Sequence, residues 1–147
     1  MEYRERIFPS IGATSSLLAL VIASSFAIWA ALDLMIALSF FIIGCILIAL
    51  WWRSAIHQIA LMEGWLKVNE ARIELRHIAS VTPLDEEQWR RRRGVDFNPA
   101  LFHAHKFWMR RGVEITLDDA RDPHPGWLVG SKKPIELANS LKGFSPN

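Results

Sequence analysis

Residues 11–52 read IGATSSLLALVIASSFAIWAALDLMIALSFFIIGCILIALWW and contain a single charged side chain, Asp33. One continuous helix of this length would extend roughly 63 Å, about twice the hydrocarbon thickness of a bilayer. Two spans of about 20 residues each fit a bilayer, and a charge at the turn between them stays in water. The stretch therefore predicts a transmembrane hairpin, with helices over residues 11–32 and 34–52 and a turn at Asp33.

Positive charges predict how this hairpin is oriented. Arg4 and Arg6 precede the first span and Arg53 follows the second, whereas the turn contains no Lys or Arg. Because cytoplasmic flanks are enriched in these residues, we expect a multi-pass protein of the plasma (inner) membrane with both termini in the cytoplasm. A cleaved signal peptide ending near Ala30 is the alternative, but such peptides have apolar cores of only about 7–15 residues.

The first span carries small residues at every fourth position, which would form a ridge along one helix face. They are Ser15, Ala19, Ala23, Ala27 and Ala31. Small ridges allow transmembrane helices to approach closely. Two uses of the ridge are open: packing within the hairpin, which the short tether favours, and packing against a second copy or another membrane protein.

The hairpin (residues 11–53) separates a cytoplasmic N-terminal segment, residues 1–10, from a cytoplasmic domain, residues 54–147. Short alternating or apolar runs bounded by turn signals predict strands in this domain. These runs are residues 55–62, 65–68, 72–76, 113–117 and 127–129, with turns at 63–64 and 69–70. Thr82 and Pro83 predict the start of a helix that ends at Gly94, and residues 134–141 predict a closing helix that ends at Gly143.

This order of elements predicts an α+β membrane protein. Its cytoplasmic part is expected to be a small, antiparallel, β-rich domain with a C-terminal helix. The pattern is similar to that of the pleckstrin-homology-like domains found on small bacterial membrane proteins. Likeness of fold carries no function by itself.

Basic residues gather in the middle of this domain and predict a surface for anionic lipid. They are Arg90, Arg91, Arg92, Arg93, Lys106, Arg110 and Arg111. A basic residue beside an anionic leaflet gains about 1 kcal/mol. However, Glu86 and Glu87 precede the arginines by one helical turn, and ion pairs along the helix would leave an ordinary solvated face. The net charge of +2 is too small to indicate nucleic-acid binding.

Histidines and aspartates offer only weak candidates for metal ligands. His103 and His105 would lie on one side of a strand, but a third ligand with a diagnostic spacing is missing. The other histidines are His57, His77 and His124, and the clustered aspartates are Asp118, Asp119 and Asp122. The aspartates lack the ligand order of a calcium loop. With one cysteine, Cys45, and no phosphate loop or nucleophile elbow, we predict no enzyme, no cofactor and no metal.

Short motifs occur along nearly the whole chain in a characteristic order. The first are Tyr3-Arg4-Glu5-Arg6, the two adjoining spans and Trp65-Leu66-Lys67-Val68. The later ones are Asn98-Pro99-Ala100, His105-Lys106-Phe107-Trp108, Asp122-Pro123-His124-Pro125, Trp127-Leu128-Val129 and Lys133-Pro134-Ile135-Glu136-Leu137. In this order the chain resembles an uncharacterised family of small bacterial membrane proteins, domain of unknown function 3093. The resemblance implies an integral membrane protein and no catalytic residue.

These observations lead to three functional hypotheses. The first is a membrane-anchored interaction or scaffold module, in which the hairpin fixes the location and the β-rich domain binds another membrane protein or a second copy. The second is recognition of anionic lipid headgroups by the basic residues. The third is a metal-dependent enzyme built on His103 and His105.

Overall fold

The computed structural model describes residues 3–143. Residues 1–2 and 144–147, which belong to the predicted segments 1–10 and 54–147, lie outside the described residues. Within the described chain, one unit comprises residues 8–56 and the other comprises residues 3–7 together with residues 57–143.

The first unit is a pair of helices, α1 (Ile11–Ala31) and α2 (Leu34–Ala55). Asp33 begins α2, because its carboxylate accepts a hydrogen bond from the backbone N–H of Met35 at 2.6 Å. This confirms the turn predicted at Asp33. Both helices are long and apolar enough to cross a membrane, judged by length and composition.

The small-residue ridge lies outside the contact between the two helices. Gly44 of α2 lies against Val21 of α1, and a Cβ at Gly44 would be 2.7 Å from Val21 Cγ1. Ser25 and Ile28 are half-buried on the same side of α1 as Val21, and Ala37 of α2 is fully buried. All five ridge residues are exposed; they are Ser15, Ala19, Ala23, Ala27 and Ala31. The close approach of the two helices is supplied by Gly44, and packing of the exposed ridge against a second copy or another membrane protein stays a prediction.

The second unit begins with a four-stranded antiparallel sheet, sheet A. Its strands, in spatial order, are β1 (Tyr3–Ile7), β2 (His57–Met62), β3 (Trp65–Val68) and β4 (Ala71–Glu74). Glu63 and Gly64 both have positive φ, 48° and 82°, as a two-residue hairpin turn requires. Asn69 also has a positive φ in the next turn. Both predicted turns are confirmed.

Strand β1 is the main difference from the predicted organisation. Residues 3–7 were expected to be a separate N-terminal segment, yet they pair with β2 over their full length, from Tyr3 opposite Leu61 to Ile7 opposite His57. A five-residue strand with three charged side chains is a weak sequence signal. As a result, the helical hairpin occupies the place of the turn between two paired strands.

The chain continues into sheet B and two short helices. The strands are β5 (Ile78–Leu84), β6 (Phe102–Ala104), β7 (Gly112–Leu117) and β8 (Gly126–Gly130), in the spatial order β5-β7-β8-β6. The helices are α3 (Glu86–Arg93) and α4 (Pro134–Lys142). Strand β6 runs parallel to β8, so the predicted wholly antiparallel arrangement is wrong for this pair.

Helix α3 starts later than predicted. Thr82 and Pro83 lie in strand β5, opposite Glu114 and Val113. Proline fits there because β5 is an edge strand, where a missing N–H leaves no gap in the ladder. Asp85 is the residue that caps the helix and accepts from the N–H of Gln88 at 2.8 Å. The predicted end at Gly94 and the closing helix ending at Gly143 are confirmed.

Both sheets and α4 contribute to one hydrophobic core. The strands supply alternating aliphatic residues, and the helix supplies its apolar stripe. The core residues are Ile59, Leu61, Leu66, Val68, Ile73, Leu75, Ile78, Val81, Ala104, Val113, Ile115, Trp127, Val129, Leu137, Ala138 and Leu141. A smaller cluster around Trp89 includes Ile7 and Leu128.

Candidate interaction surfaces

The predicted basic residues are largely engaged within the domain. Arg91 pairs with Asp96 at 3.1 Å and Arg92 pairs with Glu114 at 2.8 Å. Thus Arg91 does not use the glutamate one turn earlier, as the helical spacing had suggested. Ion pairs to neighbouring strands and loops have replaced the expected pairs along the helix.

The rest of this basic set follows the same trend. Arg110 pairs with Glu86 at 3.4 Å. The Arg93 guanidinium donates to the backbone carbonyls of Phe107 and Met109 at 3.3 and 3.1 Å. Arg90 and Arg111 are exposed and Lys106 is half-buried. Three of the seven predicted lipid-contact residues, Arg91, Arg92 and Arg110, are thus paired with carboxylates of the domain.

Two loops beside α3 expose large apolar side chains. Val95 and Phe97, in the loop that follows α3, are 91% and 53% exposed, and Phe107, after β6, is 68% exposed. The Arg93 hydrogen bond to Phe107 holds the second loop against the helix. The Phe97 ring stacks on His103 with a centroid distance of 4.8 Å. We call Val95, Phe97 and Phe107 the apolar loop surface.

A different cluster of cations lies on the outer face of sheet A. Alternation along the strands points Arg4 and Arg6 of β1, Lys67 of β3 and Arg72 of β4 outward, and all four side chains are exposed. We call these four residues the basic sheet face. In the sequence, Arg4 and Arg6 indicate only the orientation of the hairpin. The cluster is not visible there, because about sixty residues separate Arg4 and Arg6 from Lys67 and Arg72, and the two pairs meet only through strand pairing.

Strand β1 is fixed in the domain by a buried carboxylate. Glu5 points inward and accepts hydrogen bonds from the Ser131 hydroxyl at 2.6 Å, from the Lys132 N–H at 2.7 Å and from the Tyr3 hydroxyl at 2.9 Å. Ser131 and Lys132 connect β8 to α4. Strand β1, which contains Arg4 and Arg6, is thus joined to the C-terminal half of the domain.

His105 interacts with two other histidines, His103 and His57. The rings of His103 and His105 meet edge to face with centroids 5.6 Å apart. Burial lowers the pKa of His105 to about 4, and the charges of Arg93 and nearby histidines, His57 among them, act in the same direction. Burial, assisted by the charge of Lys106, also lowers the pKa of His57 to about 4. Asn69 donates to His57 Nδ1 at 3.0 Å, so the neutral ring carries its proton on Nε2.

The other metal candidates lie elsewhere and have local roles. His77 lies between Glu74 and Asp119, and His124 contacts the Ala100 carbonyl. Asp119 and Asp122 accept backbone N–H groups of their own loop. The N–H of Arg121 is the main reason that the pKa of Asp119 is lowered. Within residues 3–143, no group of three or more His, Cys, Asp or Glu side chains is arranged to hold a metal ion.

Comparison with known proteins gives a family match. The model of the family described as protein of unknown function (DUF3093) matches residues 2–141, a range that includes both helices of the hairpin, both sheets and most of α4. No curated protein and no solved structure matches the chain significantly. Because the family match covers nearly the full sequence, the chain belongs to the DUF3093 family.

Proposed function

We propose that this chain is an integral protein of the plasma membrane whose β-rich domain is an interaction module at the cytoplasmic face. The two helices present apolar side chains outward along most of their length, among them Leu20, Ile42 and Leu47. In water this surface would be unfavourable, and hydrocarbon is the environment that accepts it. The basic flanks before α1 and after α2 support a cytoplasmic position for both termini.

The position of the hairpin within the chain is the observation that carries this proposal. Ile7 and His57 face each other at the end of the β1–β2 pair, so both connections to the hairpin leave sheet A at the same place. The connections on either side of the hairpin are short: residues 8–10 lie between β1 and α1, and Ile56 lies between α2 and β2. The β-rich domain, with its two sheets and C-terminal helix, is thus joined to the hairpin on both sides in the chain, which supports a role at the membrane.

The apolar loop surface supports a protein as the partner. Val95, Phe97 and Phe107 protrude from two loops that Arg93 and His103 hold in place. Exposed aromatic side chains on fixed loops are typical centres of protein interfaces. Their neighbours Arg91 and Arg92 are already paired with acids, which favours a protein partner over anionic lipid at this surface.

Cross-linking of the tagged full chain in native membranes tests this function. We expect the protein to stay in carbonate-washed membranes and to give one discrete cross-linked complex in mild detergent. The double variant F97S/F107S should lose that complex. Ile135→Ser is the matched control, because Ile135 is equally exposed, at 66%, but lies on α4. Release from washed membranes would contradict the anchoring, and a complex unaffected by F97S/F107S would contradict the interface.

A further inference from the structure

The basic sheet face is a row of cations set by strand register. Arg4 lies opposite Ala60, Ala60 lies opposite Lys67, and Lys67 lies opposite Arg72, so one line crosses all four strands of sheet A. Neighbouring strands are about 4.8 Å apart, and residues two positions apart along a strand are about 7 Å apart. Arg6, two positions after Arg4, widens this line into a patch.

These cations have no acidic partner in the described part of the chain. Ion pairs among residues 3–143 involve neither Arg4, Arg6, Lys67 nor Arg72. Glu74, which shares the outer face, is already paired with Arg76. Like charges directly opposite each other on a sheet destabilise it, and Lys67 and Arg72 form such a pair. An external anion would relieve this repulsion.

The patch also has space and an apolar rim. Ala60 is small, and a depression of about 200 Å³ lies around it, lined by Arg4, Arg6 and Lys67. Met62 and Trp65 are exposed beside it, and the Arg72 guanidinium lies 5.6 Å from the centre of the Trp65 ring. Cations combined with a half-exposed Trp are typical of the interface between water and lipid headgroups.

The connections between sheet A and the helical hairpin are short. Residues 8–10 are the only ones between β1 and α1, and Ile56 is the only one between α2 and β2. Three extended residues span at most about 11 Å. With the proposed membrane anchoring, the chain therefore passes from the leaflet to sheet A within a few residues. From charge, shape and tether together, we infer that the basic sheet face binds anionic lipid headgroups of the leaflet at which the hairpin begins and ends. This inference rests on the proposed membrane anchoring.

A fluorescent probe on the face tests the inference in the full chain. Met62→Cys in a Cys45→Ala background places one thiol on the face for a polarity-sensitive fluorophore. The labelled protein is compared in nanodiscs of phosphatidylcholine alone and of phosphatidylcholine with phosphatidylglycerol in a three-to-one ratio. We expect a blue shift, and quenching by brominated lipid, in the anionic discs only. High salt should reverse both, because it screens exposed charges.

Charge variants with a matched control identify the residues responsible. R4Q/K67Q/R72Q should return the emission in anionic discs to its value in neutral discs. R90Q/R91Q/R111Q removes the same formal charge from another part of the domain and should leave the shift intact. The charge-conserving variant R4K/R72K should also keep the shift. A shift that is kept here and lost in the triple variant depends on the charges, not on substitution of the side chains as such. Absence of the protein from purified discs would refute the anchoring itself. Incorporation without a shift, or an equal loss in the control variant, would overturn the lipid inference alone.

Discussion

At the scale of single residues, Glu5 has the most consequential environment in the β-rich domain. Its carboxylate is buried and accepts from Tyr3, Ser131 and the Lys132 N–H, so it joins the first strand to the last connection of the domain. A hydrogen bond to a charged group contributes more than a neutral one, and a buried donor left without an acceptor is unfavourable.

Glu5→Ala should therefore destabilise the domain strongly. We expect a loss of about 2 kcal/mol, which lowers the Tm by about 10 °C for a domain of this size. Thermal unfolding of the full chain in detergent, followed by tryptophan fluorescence, measures the change. Glu70→Ala serves as the control because Glu70 is exposed in a turn. Equal Tm values for the two variants would contradict the role assigned to the Glu5 carboxylate.

His57 and His105 make the stability of the fold dependent on pH. The pKa of each is about 4 in the folded protein, below the ordinary value of 6.5. Protonation therefore favours the unfolded chain: the stability is fully present above pH 6.5 and is lost as the pH falls towards 4. Glu5 opposes this shift at His57, whereas Lys106 and Arg93 reinforce the shifts at His57 and His105, respectively.

The expected loss at pH 5 is about 1–2 kcal/mol for each of the two histidines. The measurement is the difference in Tm between pH 7 and pH 5 for the wild type and for H57Q/H105Q. The double variant should show the smaller difference, since carboxylate protonation affects both proteins alike. His77→Gln changes a histidine that lies between Glu74 and Asp119, away from His57 and His105, and should show the same difference in Tm as the wild type. An unchanged difference in H57Q/H105Q would show that neither histidine drives the acid sensitivity.

At the scale of elements, some features follow directly from local chemistry. Asp33 begins the second helix because its carboxylate caps the first turn and its charge is favoured outside the hydrocarbon. Residues 63–64 form a hairpin turn because Gly64 adopts a positive φ without steric cost. The Thr82-Pro83 pair predicts a helix start but lies in strand β5, because the same pair also fits an edge strand. Strand β1 and the parallel β6–β8 pair depend on partners distant in sequence, which no local pattern reports. The basic sheet face escaped prediction for the same reason.

Within the hairpin, the contact between Gly44 and Val21 decides how closely the helices pack. Gly44→Leu would drive a side chain into Val21, because even a Cβ there lies within 2.7 Å of it. We expect an overpacking loss of about 1–3 kcal/mol. Ala49→Leu, on the exposed side of the same helix, should change the stability by less than about 0.5 kcal/mol. Unfolding of the two variants in a denaturing-detergent titration makes the comparison, and a harmless Gly44→Leu would refute this packing.

At the scale of the whole molecule, the helical hairpin is an insertion in a discontinuous β-rich domain. Residues 3–7 and 57–143 form one unit although some fifty residues separate them, and Ile7 pairs directly with His57. The N-terminal strand therefore belongs to the domain that follows the helices. A truncated chain that begins after the hairpin would lack buried Ile7 and Glu5.

This arrangement predicts that the hairpin can be replaced by a turn. Substitution of residues 8–56 by Asn-Gly joins Ile7 to His57 through a two-residue loop of the kind that closes β-hairpins. The resulting protein should be soluble and folded, with a cooperative thermal transition. Residues 55–147 alone should aggregate or melt at a much lower temperature, because β2 becomes an uncovered edge. Equal behaviour of the two proteins would contradict the discontinuous domain.

The proposed role of this protein requires that the hairpin crosses the membrane while the β-rich domain stays on one side. Single cysteines at position 32, in the helix turn, and at position 70, in a turn of sheet A, test this in a Cys45→Ala background with a membrane-impermeant maleimide. Leu32→Cys should react from outside intact cells, and Glu70→Cys only in inverted membrane vesicles. Labelling of both cysteines from the same side would contradict a membrane-spanning hairpin inserted in a cytoplasmic domain.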